Sequence, residues 1–246
     1  MRSFILICAA WSLSSASNAV DNCSAEIKIL LSPATLQDVI TSVGFQGETA
    51  GRVYFFDTDG LDLLKQGVVI RARQGGNTDL TVKVRVPEAD KQAPGANLRG
   101  RFPCETNQTG AETDTDYTVR RNYKILQIPQ TGSEIMSALK PPQTQLLREA
   151  GVSISWSEVR RVADISVMKW ESMAQSPFPK LTLELWEWPG GKILELSAKV
   201  TPAAMTSKYA ELRGLAERKG LSLSDSQGAK TSTVLRTLTH RTCPPR

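Results

Sequence analysis

The stretch GVVIRARQGGNTDLTVKVRV, from Gly67 to Val86, decides the fold. Successive side chains of a strand point to opposite faces. Arg71 and Arg73 therefore share one side of the first segment, with Val68, Ile70 and Ala72 on the other. In the second segment Thr81, Lys83 and Arg85 oppose Val82, Val84 and Val86. Gln74 to Thr78 between them reads as a hairpin turn, since Gly75, Gly76 and Asn77 accept positive backbone dihedrals. The pair has one apolar and one cationic face. Like charges opposite one another destabilise a sheet, so the cationic face either lies in bulk solvent or holds an anion, and phosphate suits Arg and Lys best.

The same two-sided pattern recurs along the chain. In Ser24 to Leu31, Ser24, Glu26 and Lys28 oppose Ala25 and Ile27. In KLTLELWEW, Lys180 to Trp188, the residues Thr182, Glu184 and Trp186 oppose Leu181, Leu183 and Leu185. In KILELSAKV, Lys192 to Val200, the residues Glu195, Ser197 and Lys199 oppose Leu194, Leu196 and Ala198. Arg52–Asp57, Leu98–Glu105 and Glu158–Lys169 are further expected strands. Helices are expected after Ser32-Pro33 through Val43, and over Ser133–Lys140, Pro142–Ala150, Pro202–Lys219 and Ser226–Thr237. Asp59–Gln66 reads as a turn or short helix, and Glu88–Ala96 as a polar loop. The run TNQTGAETDTD, Thr106 to Asp116, reads as a mobile polar insertion.

Strands mixed with helices, without a repeat or a linker, predict one α+β domain. If the sheet closes, the apolar faces lie under helices and the charged faces line the interior. That plan is a β-barrel, a tunnel, with helices packed outside. It gathers Lys28, Arg71, Arg73, Lys83, Arg85 and Lys199 with Glu26, Glu184 and Glu195 in one channel. Cations there suit phosphate oxygens, and carboxylates suit a hard divalent ion, Mg²⁺ or Mn²⁺.

The rest of the chain limits the function classes. Residues 1–19 have the plan of a secretory signal, with cleavage after Ala19. This predicts an exported protein, periplasmic or secreted, with a domain over residues 20–238 and a tail over 239–246. No segment is long and apolar enough to predict a membrane span. The net charge of +5, or +4 without Arg2, is mild. No basic run with interleaved aromatics suggests specific nucleic-acid binding. Cys23, Cys104 and Cys243 remain outside the signal, which predicts one disulfide and one leftover thiol in an oxidising compartment. Asn22-Cys23-Ser24 and Asn107-Gln108-Thr109 match the glycosylation acceptor pattern.

The segments AEIKILLSP, VYFFDTDGLDLLKQGVVIRAR, LTVKVR and LTLELWEWPGGKILELSAKV resemble, in order and spacing, the CYTH domain of triphosphate tunnel enzymes. That family includes thiamine triphosphatases, inorganic triphosphatases and some adenylyl cyclases, and the resemblance implies an α+β fold built on an eight-stranded antiparallel β-barrel, a tunnel, with helices packed outside. The resemblance implies substrate-binding roles for Lys28, Arg71, Arg73, Lys83, Arg85 and Lys199, and metal-binding roles for Glu26, Glu184 and Glu105. Ser24 stands where the family's Glu-x-Glu-x-Lys has its first acid. The implied partner is triphosphate, polyphosphate or another small polyanion. The activity is either metal-dependent hydrolysis of a triphosphate or non-catalytic polyanion binding.

Overall fold

The computed structural model describes residues 23–75, 78–87, 98–122, 127–175 and 177–242. The expected signal segment, the turn residues Gly76 and Asn77, the Glu88–Ala96 loop, Asn22 and Cys243 lie outside the described residues. Nine strands occur in chain order: β1 Ser24–Leu31, β2 Gln46–Asp57, β3 Val68–Gly75, β4 Asp79–Pro87, β5 Cys104–Thr109, β6 Glu112–Asn122, β7 Arg160–Gln175, β8 Phe178–Trp188 and β9 Gly191–Val200. The helices are α1 Leu36–Val43, α2 Asp62–Lys65, α3 Gly132–Ala138, α4 Pro141–Glu149, α5 Met205–Arg218 and α6 Lys230–Thr242.

The strands close into a barrel in the order β1, β5, β6, β4, β3, β2, β7, β8, β9. The tunnel barrel is as expected, with two differences. The described residues form nine strands rather than eight, and β1 runs parallel to β5, whereas the other neighbours are antiparallel. Both differences have one source. The stretch read as a mobile insertion is the β5–β6 hairpin, with Thr106 facing Thr115 and Asn107 facing Asp114. Around Leu98, where a fifth strand was expected, the chain instead makes a tight turn, and the strand starts six residues later at Cys104.

The opening hairpin forms in the expected register, with Arg71 opposite Thr81 and Ile70 opposite Val82. Its first residue has a backbone requirement of its own. Gly67 has φ +76°, and a Cβ there would stand 2.5 Å from the Arg85 carbonyl oxygen. The Gly67 carbonyl in turn accepts a 2.8 Å bond from the Arg85 N–H.

Apolar outer faces carry the helices. Ile27, Ile29, Leu183 and Leu196 pack with Val39 of α1 and with Leu212 and Leu215 of α5. Ile70, Val82, Val84 and Tyr117 pack with Ile135 of α3 and Leu146 of α4. Each such aliphatic side chain contributes about 1.5–3 kcal/mol when removed from water. Asp57, almost fully buried, ends β2 and starts α2, because its carboxylate accepts from the backbone N–H groups of Thr58, Leu63 and Leu64.

One helix does not lie outside. Val234 and Leu235 of α6 are buried with Leu30, Val53, Phe55, Val69, Ile165, Trp186 and Ile193. These strand residues share parity with the lumen side chains, so α6 stops one end of the barrel with an apolar plug. No helix among the described residues is long and apolar enough to cross a membrane.

A disulfide joins Cys23 to Cys104 across 81 residues, at the start of the parallel β1–β5 pair. Closing a loop of that length in the unfolded chain is worth about 4 kcal/mol. The Cys23→Ser, Cys104→Ser double variant is expected to lose that order of stability in urea unfolding; an unchanged midpoint would show that the seam holds without it. Gly67→Ala is expected to cost more than about 1 kcal/mol in the same assay, because both its dihedral and its clash are unfavourable.

Candidate functional site

The charged faces meet inside the barrel, in a cavity of about 750 Å³. Nine basic and five acidic described side chains line it, so the lumen is cationic overall. The cavity brings together Lys28, Arg71, Arg73, Lys83 and Lys199 with Glu26, Glu105 and Glu184. Arg85 is on the same face of β4, but it is bound up in the wall behind Lys83.

That wall is built on Asp116. It is fully buried on β6, opposite Arg85. Its Oδ2 accepts from Lys83 Nζ at 2.6 Å, from Arg85 Nη2 at 3.0 Å and from Asn107 Nδ2 at 2.9 Å, while Oδ1 accepts from Arg85 Nε at 2.9 Å. Burial opposes the charge of Asp116, but Lys83 and Arg85 outweigh it and hold the carboxyl well below the usual carboxylate range. Asp114 adds a contact at 3.3 Å from Arg85 Nε. Burial, with Arg71, Lys28 and Arg85 close by, brings the Lys83 ammonium down to about 8 despite its bond to Asp116.

Asn107 also accepts from Lys28 Nζ at 2.6 Å. Its side chain is therefore a strut inside the barrel, 2 % exposed, and cannot serve as a glycosylation acceptor in the folded chain. Lys28 sits 3.0 Å from Glu26, whose Oε1 also accepts from Ser197 Oγ. Burial works against the charge on Glu26, yet Lys28 and Lys199 keep its carboxyl below the ordinary value.

Arg71 and Arg73 stand apart from these pairs. Arg73 Nε lies 3.3 Å from Asp79, which Thr81 also holds and Arg120 approaches at 3.7 Å. Among the described residues Arg71 makes no ion pair, and its Nε is buried without a hydrogen-bond partner. Burial, and then the neighbouring Arg73, lower its guanidinium to about 10. Asp79 and Glu184 act on it without forming an ion pair, and a partly desolvated cation without a contacting anion is costly.

The expected metal ligands are arranged differently. Glu105 is bonded to Lys199, Glu26 to Lys28, and Glu184 to Lys230 at the start of α6. Each carboxylate is taken by an ammonium, and no group of three or more Asp, Glu, His or Cys side chains among the described residues is placed to hold a metal ion. The donor set as folded does not fit Mg²⁺ or Mn²⁺. Sequence reasoning missed Lys230, Asp116 and Asn107. Strand alternation in the polar hairpin could have found the last two, but no local signal marks Lys230.

A closed, helix-covered barrel with a cationic lumen is the class of protein that fold and site define. No family model matches the chain, and no curated protein sequence matches it. Solved structures do. A candidate adenylyl cyclase from Hippeastrum, described as revealing a dominant triphosphatase activity, is 17 % identical with a TM-score of 0.61, covering 86 % of this chain and 94 % of its own. A candidate adenylate cyclase from Bacillus halodurans is 16 % identical with a TM-score of 0.56, covering 86 % and 97 %. These likenesses show the fold: the tunnel barrel of the CYTH-type proteins that the sequence resembles.

Glu184 gives the site a pH signature. Burial would raise its carboxyl, but Lys230 and then Arg73 and Arg71 bring it down to about 2. A carboxylate depressed by folding contributes stability above its unfolded pKa and loses it as pH falls towards the folded one. Unfolding free energy is expected to drop between pH 4.5 and 2. In Glu184→Gln the slope should be shallower by up to about 1.4 kcal/mol per pH unit. Identical acid limbs in urea titrations would refute the pairing.

Proposed function

We propose that this chain binds a linear triphosphate, a polyphosphate or a small polyanion like them inside the tunnel. The observation that carries the reading is Arg71, half-buried, with its Nε buried and unbonded and with no ion pair among the described residues, lining a cationic cavity. Arg73, Lys83, Lys28 and Lys199 surround the same space, so successive phosphate groups would each meet a cation. The description of the Hippeastrum protein supports triphosphate as the ligand class. We place the protein outside the cytoplasm, periplasmic or secreted; the Cys23–Cys104 disulfide supports that, because such bonds persist in oxidising compartments.

Tripolyphosphate is expected to raise the melting temperature by roughly 5–10 °C at a hundredfold excess over Kd. Arg71→Gln should melt no lower than wild type without ligand, since it removes a partly desolvated charge that has no ion pair among the described residues, and should lose most of the ligand-induced shift. That opposite response separates a binding residue from a structural one. No shift in the wild type at millimolar tripolyphosphate would end the proposal. Release of inorganic phosphate in the same mixtures with Mg²⁺ or Mn²⁺ would move the protein into the metal-dependent hydrolase class that the sequence resemblance implies.

A further inference from the structure

Glu184 and Glu195 are direct partners across the β8–β9 ladder, both facing the lumen. Two carboxylates in that relation repel, and inside a closed barrel water screens them poorly. A cation between them relieves that repulsion without either having to take up a proton. The chain supplies one from a distant element: Lys230, the first residue of α6, pairs with Glu184 and sits 2.7 Å from Glu195. Its ammonium also lies 4.5 Å from the centre of the Trp186 ring, a favourable cation–π distance.

The surrounding packing fixes this ammonium in place. Val234 and Leu235 anchor α6 in the apolar plug. On the approach to the helix, Gln227 accepts from the Leu30 N–H at 2.9 Å and donates to the Leu30 carbonyl at 2.7 Å, while Leu223 bridges Leu31. Lys230 is therefore delivered by a docked helix rather than by a free side chain. Burial opposes its charge, but the two glutamates raise its pKa above the ordinary lysine value, so it stays protonated through the neutral range.

We propose that Lys230 is a resident cation, occupying the place between Glu184 and Glu195 that a divalent ion would otherwise take, and that the tunnel accepts its anion without metal. The first half stands on the α6 geometry alone, and the second rests on the anion-binding reading above. An ammonium cannot be removed by a chelator, and its position depends on α6 staying docked.

The direct test is titration of Mn²⁺ alone, with no phosphate present, followed by the electron paramagnetic resonance of the free ion. Wild type and Lys230→Arg are expected to leave Mn²⁺ free up to about millimolar concentration, whereas Lys230→Gln should bind it at least about tenfold more tightly through the bared glutamates. Adding Glu184→Gln to that variant should abolish the gain. Wild type binding Mn²⁺ as tightly as Lys230→Gln, or a cooperatively folded Lys230→Gln binding no better than wild type, would overturn the assignment. If Lys230→Gln fails to fold, wild type still decides: free Mn²⁺ together with an unchanged tripolyphosphate melting shift in excess chelator supports the proposal, and tight Mn²⁺ binding or a shift abolished by chelator refutes it. If tripolyphosphate binds under no condition, the anion reading falls while the Mn²⁺ arm still reports on Lys230.

Discussion

A charge deep inside a closed barrel needs a counter-charge among the residues facing it, because burial strips it of most of its water. Asp116 answers that constraint on one wall by holding Lys83, Arg85 and Asn107 together. Asn107 passes the connection to Lys28, and Lys28 to Glu26, so strands β6, β5, β4 and β1 are linked by one polar network. On the other wall Lys230 joins β8 to β9. Removing one member of such a buried pair typically costs about 3–5 kcal/mol, which makes the lumen a structural element as well as a binding surface. Among the described cations that line the cavity, Arg71 is the one without an ion pair.

Much of this was legible in the sequence. Strand parity alone puts Arg71, Arg73, Lys83, Lys28, Glu26, Glu184 and Glu195 on one side, and the apolar faces of the same strands call for helices outside. The pattern worked because each of these strands is apolar on one face and charged on the other. It failed for Thr106 to Asp116, where the outward residues Thr106, Gln108, Thr113 and Thr115 are also polar. A strand polar on both faces carries no alternation of hydrophobicity, so the hairpin read as a loop, and with it went Asn107, Asp114 and Asp116.

Lys230 was illegible for a different reason. Its importance comes from tertiary placement, since α6 turns back over the barrel end and directs its first side chain inward. Nothing within a few residues of Lys230 distinguishes it from the other lysines of surface helices. The expected metal site shows the reverse error. The glutamates were identified one by one from a resemblance, and which cation each of them meets depends on residues remote in sequence.

The position of β1 also governs how the chain can assemble. It is the first strand in sequence, yet its neighbours are β5 and β9, more than seventy and more than one hundred and sixty residues further on. The hairpins β2–β3–β4 and β7–β8–β9 can form from nearby sequence, but β1 has no partner until β5 has been made, and its other edge stays open until β9 arrives. Closure is thus the late, non-local event of folding, with the slow kinetics that high contact order brings. During synthesis one edge of β1 would wait, unpaired, until β9 had followed it.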